Sequence, residues 1–139
     1  MKKILKRILI ILGIVFAMLL VITMLFGKKK VAPWGVEKIV LETTDFDVKF
    51  DSIELDKGEI VGFLGLYNFS VNAGSVDVDR PYSDFRVKIY LKNGDTIILR
   101  DYRDGKLYYS ASGDYCWIYN QSLWNYIEHL IEQHNMARE

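Results

Sequence analysis

Apolar and polar positions alternate in two quite different ways along this chain. Residues 8–26 run nineteen positions without a charge; fourteen are Leu, Ile, Val or Phe, and Thr23 is the only polar side chain. As a helix the run is roughly 29 Å long, close to a hydrocarbon core of about 30 Å. Each such apolar residue favours insertion by roughly 0.3–0.6 kcal/mol, so the pattern predicts a membrane-spanning helix. A cleaved secretory signal would have a shorter apolar stretch ending at small residues. This one exits into Gly27 and then Lys28, Lys29 and Lys30, with no cysteine behind it to carry a lipid.

Past residue 30 the apolar positions become periodic. Residues 31–35 (VAPWG) read as a linker interrupted by Pro33 and Gly35, with Trp34 where interfacial aromatics sit. Residues 36–42 and 48–55 are strand-like, the second shifting phase near Asp51 as a bulge or break would. At 57–68 two patterns compete. Val61, Phe63, Tyr67, Phe69 and Val71 alternate, whereas Asp56 followed three residues later by Glu59 is a capping pattern, and the helix is preferred. A short edge strand is expected at 75–79, stopped by Arg80 and Pro81.

The clearest periodicity lies between Phe85 and Tyr119. Phe85, Val87, Ile89 and Leu91 alternate with Arg86, Lys88 and Tyr90, giving one apolar and one mostly polar face. Asn93-Gly94 predicts a two-residue turn with positive φ at both positions, after which Ile97 and Leu99 continue the apolar face. Asp104-Gly105 and Gly113-Asp114 supply two further turns, so four strands in meander order follow. The chain closes with an amphipathic helix carrying Leu123, Tyr126, Ile127, Leu130 and Ile131 on one side, capped by Asn120 or Ser122. The expectation is an α+β chain: a transmembrane helix, then a small antiparallel sheet of a four-strand meander plus N-terminal strands, covered by the C-terminal helix. Its divisions are a tail and anchor at 1–30, the linker at 31–35 and the soluble domain at 36–139.

Charge sharpens this division. The formal net charge of zero averages seven cations and no acid in residues 1–30 with eleven cations and eighteen acids beyond, a balance of −7 for the domain. Outside the anchor the cations are scattered along the sequence, which argues against a nucleic-acid partner. Four lysines and arginines plus the α-amine precede the apolar run and three lysines follow it directly, so the positive-inside bias favours a cytoplasmic N-terminus and an extracytoplasmic domain in a single-pass cell-membrane protein.

Chemistry-bearing residues are sparse. His129 and His134, the only histidines, stand five apart, whereas metal pairs on a helix favour three or four. Asp77, Asp79 and Asp84 lack the glycine and terminal glutamate of a calcium loop, and read as a solvated loop. Ser110, Ser112 and Cys116 have no base identifiable beside them, and Cys116, the only cysteine, reads as a structural thiol. Gly58, Gly62 and Gly65 do not have phosphate-loop spacing. No catalytic, metal or cofactor residue is therefore assigned, and the chain is expected not to be an enzyme. The surplus feature is aromatic: Tyr102, Tyr108, Tyr109, Tyr115, Trp117, Tyr119, Trp124 and Tyr126 cannot all be core, because strands send successive side chains to opposite faces. Tyr108 and Tyr119 are the candidates for exposed, partner-binding rings, set against cross-strand pairing that only stabilises the sheet.

The stretch 81–119, with its Pro-Tyr entry, Asn-Gly hairpin and tyrosine-rich closing strands before a helix, resembles uncharacterised small membrane-tethered α+β domains of Gram-positive bacteria. The resemblance implies a similar domain at the cell surface and brings no active site. Two functions compete: a non-enzymatic module touching the bilayer and an unidentified protein partner, and a membrane-anchored small-molecule binder or enzyme without a recognisable motif.

Overall fold

The structure, a computed structural model, describes residues 1–26, 30–43, 52–75, 85–101 and 105–136. Its first element, α1 (Lys2–Phe26), exposes every side chain described in it, those of residues 1–22. The span Lys2–Ile22, with its apolar stretch unburied, is long and apolar enough to cross a membrane. Such a surface has no stable place in water, which fits a membrane-associated protein.

The domain is α+β. Strands β1 (Val36–Thr43), β2 (Ser52–Glu54), β3 (Val71–Ser75), β4 (Phe85–Leu91), β5 (Thr96–Asp101), β6 (Lys106–Ala111) and β7 (Asp114–Tyr119) form one sheet in the order β2-β1-β4-β5-β6-β7-β3, every neighbouring pair antiparallel. The meander β4 to β7 is as the alternation predicts. β1 and β2 extend one side, and β3 closes the other against β7. The expected edge strand starts earlier than its sequence suggests, at Val71. A register shift between Asn72 and Gly74, where Gly74 has φ 124°, lets this glycine-containing segment pair with β7. Residues 44–51 and 76–79, the rest of the strands expected at 48–55 and 75–79, lie outside the described residues, as does the irregularity expected near Asp51.

Two hairpin turns differ from the sequence reading. Leu91 N–H donates to Asp95 O at 2.9 Å and Gly94 N–H to Leu91 O at 3.0 Å, with only Gly94 of this loop at positive φ, so Asn93-Gly94 belongs to a three-residue loop with a glycine bulge. Asn93 Oδ1 accepts from Asp95 N–H at 2.9 Å, which holds Asn93 in this wider loop. The two-residue turn with positive φ at both positions is instead Ser112-Gly113, at 50° and 87°, and Asp114 already belongs to β7.

The competition at 57–68 resolves to a helix, α2 (Lys57–Tyr67). Asp56 Oδ1 accepts from Glu59 N–H at 2.8 Å and Glu59 Oε2 from Asp56 N–H at 2.9 Å, a complete capping box. The buried positions Phe63, Leu64 and Tyr67 follow helical spacing, while Val61 and Phe69 of the apparent alternation are exposed. The last helix, α3 (Gln121–Met136), begins at Asn120, whose Oδ1 accepts from Leu123 N–H at 2.8 Å. The same amide donates to Leu66 O at 2.8 Å and Ser70 Oγ at 3.1 Å, and the Asn120 N–H reaches Gly105 O at 3.0 Å. One residue thus joins the end of α2, the start of α3 and the entrance of β6.

Both helices pack on one face of the sheet. Phe63, Leu64 and Tyr67 of α2 and Leu123, Ile127 and Leu130 of α3 share a core with Ile39, Leu41, Val87, Ile89, Ile97, Leu99, Leu107 and Ile118. Ile131, expected to be buried with Leu130, is only partly so. Gly62 is where the helices come closest: a Cβ there would stand 2.8 Å from the Tyr126 hydroxyl. Inside the core, burial pushes the Tyr67 hydroxyl well above the usual phenolic range, helped by its hydrogen bond to Tyr109.

Leu130→Ala should cost about 2–5 kcal/mol, a large share of a small domain's stability, read as a shift in denaturant midpoint at constant slope. A loss below roughly 0.5 kcal/mol would contradict the packing of α3 on the sheet.

Candidate functional site: the uncovered face of the sheet

Among the described residues no helix packs on the second sheet face. The register of the strands sets out what it presents. One cross-strand row reads Glu42, Arg86, Arg100, Tyr108, Trp117 and Gly74, passing through β1, β4, β5, β6, β7 and β3. At about 4.8 Å per strand it crosses roughly 24 Å. Beside it lies a row of Glu54, Val40, Lys88, Ile98, Ser110 and Tyr115, then a shorter row of Lys38, Tyr90 and Thr96. On the other flank Lys106, Tyr119 and Val71 stand in register.

Cations scattered in the sequence are therefore gathered by the fold. Lys38, Arg86, Lys88, Arg100 and Lys106 share this face with only two acids among its described residues, Glu42 and Glu54, although the domain as a whole is at −7. Glu42 is held between two of the cations. Arg86 Nε and Lys88 Nζ each donate to it at 2.8 Å. Partial burial by itself would raise the Glu42 carboxyl, but these hydrogen bonds and charges outweigh it and leave its pKa below the usual value. Arg86 is thereby neutralised, whereas Arg100, directly opposite it in the register, has no carboxylate hydrogen-bonded to it among the described residues. Two arginines facing each other repel, so Arg100 is a cation that an acidic group brought to this face would stabilise. Lys38 Nζ lies 5.2 Å from the centre of the Tyr90 ring, a cation–π contact that anchors the other side of the charged half.

The aromatic half occupies β6 and β7. Tyr108 is at its centre, with ring centroids 6.0 Å from Tyr115 and 5.7 Å from Trp117, the latter edge to face at 73°. This corrects one of the two rings singled out from the sequence. Tyr108 is only 9% exposed because its neighbours lean over it, whereas Tyr115 and Tyr119 are 57% and 45% exposed. Tyr119 thus stands exposed, and Tyr108 packs beneath the exposed Tyr115. The glycine at position 74 leaves the edge beside Trp117 without a side chain.

The remaining candidates are dispersed. Cys116 is buried on the opposite, helix-covered face, and Ser110 stands on the uncovered one beside Tyr115. Ser112 is in the two-residue turn. His129 is exposed on α3. His134 has a partner the sequence did not reveal: its Nε2 lies 3.1 Å from Glu59 Oε1, tying the end of α3 to the capped start of α2. Asp77, Asp79, Asp84 and Tyr102 lie outside the described residues. Among the described residues, no three of His, Cys, Asp and Glu gather as a metal site would require. This surface has a charged half and an aromatic half, which adjoin where Arg100 pairs in register with Tyr108.

No protein-family model matches the chain, and no curated protein matches it in sequence. A solved structure does. The crystal structure of a "putative lipoprotein" from Clostridium perfringens superimposes with a TM-score of 0.51 over 72% of this chain and 84% of that one, at 13% identity. At that identity the likeness is one of fold.

The ion pairs of Glu42 yield an acid-dependent test. A carboxyl whose folded pKa is depressed adds stability above its unfolded value of about 4.3 and loses it as pH falls through the folded value. Glu42→Gln should cost up to about 1 kcal/mol at neutral pH, with the difference from the natural protein vanishing in acid. Equal unfolding curves at neutral pH would contradict the pairing.

Proposed function

We propose that the chain is a single-pass, membrane-tethered, non-enzymatic binding module that captures an acidic protein partner on the uncovered sheet face. The observation that carries this reading is the row Glu42, Arg86, Arg100, Tyr108, Trp117, in which unneutralised positive charge adjoins partly exposed aromatic rings on a domain that is otherwise acidic. Charge complementarity gives orientation and encounter rate, and Tyr and Trp give affinity. A protein surface with carboxylates over β4 and β5 and an apolar patch over β7 meets both halves.

The description of the structural neighbour as a lipoprotein supports membrane association as a setting for this fold. Here the tether is α1 itself, because the single cysteine is in β7 and none follows the apolar run. With four cations before that run, the N-terminus stays in the cytoplasm and the domain faces outward.

Protease added to intact spheroplasts should remove a C-terminal tag, and the protein should stay with membranes through an alkaline wash. A protected tag would reverse the orientation, and release into the wash would remove the anchor.

For the binding face, the partner crosslinked in native membranes is identified, and its affinity measured for each variant. Tyr119→Ala should weaken capture by about 2 kcal/mol, roughly thirtyfold. Arg100→Glu should weaken it further and reduce its dependence on salt. Replacing His129, His134 and Cys116 together should leave capture intact. If that triple variant stays folded and loses all biological activity, a catalytic or metal-dependent function replaces the binding one.

A further inference from the structure

The junction between anchor and domain is more tightly built than a tether requires. Val31 N–H donates to Asn68 Oδ1 at 2.9 Å, and Asn68 Nδ2 donates back to Val31 O at 2.7 Å. The Val31 side chain is buried in the core. The domain is therefore gripped five residues after α1 ends at Phe26, and at about 3.5 Å per residue the grip lies no more than roughly 18 Å from that end. Also, α1 approaches β3, the strand that starts three residues after Asn68.

Two large apolar rings follow the two partners of this grip in sequence. Phe69, directly after Asn68, is 77% exposed, and Trp34, three residues after Val31, is 79% exposed. Both have ordered backbones: Phe69 N–H donates to Leu66 O at 3.1 Å, and Trp34 sits in the short helical turn Pro33–Gly35. Neither ring is used by the core or by the face with Arg100. Leaving both in water forfeits the hydrophobic free energy that burial of each ring would recover. The lysines at 28, 29 and 30 precede them in sequence.

We infer that Trp34 and Phe69 dock the domain onto the lipid surface, inserting into the headgroup region around the point where α1 leaves the bilayer. This rests on α1 being a membrane anchor. Aromatic side chains concentrate at that depth of a bilayer, and lysines beside them meet anionic headgroups. The Val31–Asn68 pair fixes the domain's attitude, since each ring lies within three residues of one of its two partners, on two separate chain segments joined there. A domain docked in this way presents its recognition face in one orientation relative to the membrane plane, where a loose linker would let it tumble.

The test uses the full chain in vesicles of phosphatidylcholine and anionic phosphatidylglycerol, with Cys116→Ala as background and nitroxide labels introduced one at a time by Trp34→Cys, Phe69→Cys, Asp114→Cys and Leu12→Cys. Power saturation compares collisions with oxygen, which prefers lipid, and with a water-soluble nickel chelate. Labels at 34 and 69 should favour oxygen several-fold more than the label at 114, the exposed first residue of β7. Labels at 34 and 69 as nickel-accessible as that at 114 would overturn the docking, as would shielding from both reagents, which marks contact with protein. The label at 12 separates the two claims. If it is buried in lipid while 34 and 69 are wet, docking fails and the anchor stands; if it too is wet, both fail.

Discussion

A sheet has two faces, and the two helices described beyond the anchor, α2 and α3, are both spent on the same one. The constraint is enforced at Asn120. Its amide donates to the Leu66 carbonyl in the last turn of α2, holds Ser70 and caps α3, while its backbone fastens the entrance of β6. With the ends of both helices drawn to one residue, they must lie side by side, and the close approach at Gly62 and the Glu59–His134 pair complete their contact. Among the described residues, the second face is then left with strand side chains. Its chemistry decides whether it is a solvated surface or a recognition surface, and the gathering of five cations beside a cluster of aromatic rings favours recognition.

Much of this architecture is legible in the sequence, because hydrophobic periodicity reports directly on burial. The alternation from Phe85 to Leu99 and the helical spacing from Leu123 to Leu130 each translate into the observed core. The segment at 57–68 shows how a local signal can outrank a periodic one: Val61 and Phe69 imitate a strand, yet the reciprocal hydrogen bonds of Asp56 and Glu59 commit the backbone to a helix. The misplaced turns have a common cause. Asn-Gly and Gly-Asp mark turns, but the side-chain bond of Asn93 and the positive φ of Ser112 select their length, and neither is visible in a dipeptide.

The uncovered face is half legible in the sequence. Arg86, Lys88 and Tyr90 announce a polar side of β4, and the tyrosines of β6 and β7 announce surplus rings. That Arg100 stands between Arg86 and Tyr108 follows only from the register of three strands, which sequence alternation does not supply. For the same reason the cations looked scattered, and Tyr108 looked as exposed as Tyr119. Phe69 was hidden by the opposite error, since a ring in an apparent apolar alternation reads as core until the helix before it ends.

If both surfaces work as described, α1 and the aromatic pair hold the domain at the membrane, and the sheet face remains free to take a partner there. Hydroxyl-radical footprinting of the full chain in native membranes, compared with the purified chain in vesicles, addresses the recognition claim most directly. Trp117 and Tyr119 should be protected in native membranes and become reactive after purification, while Val61 on α2 reacts equally in both. Equal reactivity of Trp117 and Tyr119 in the two preparations would mean that nothing occupies this face, and the account of the sheet as a binding surface would be wrong.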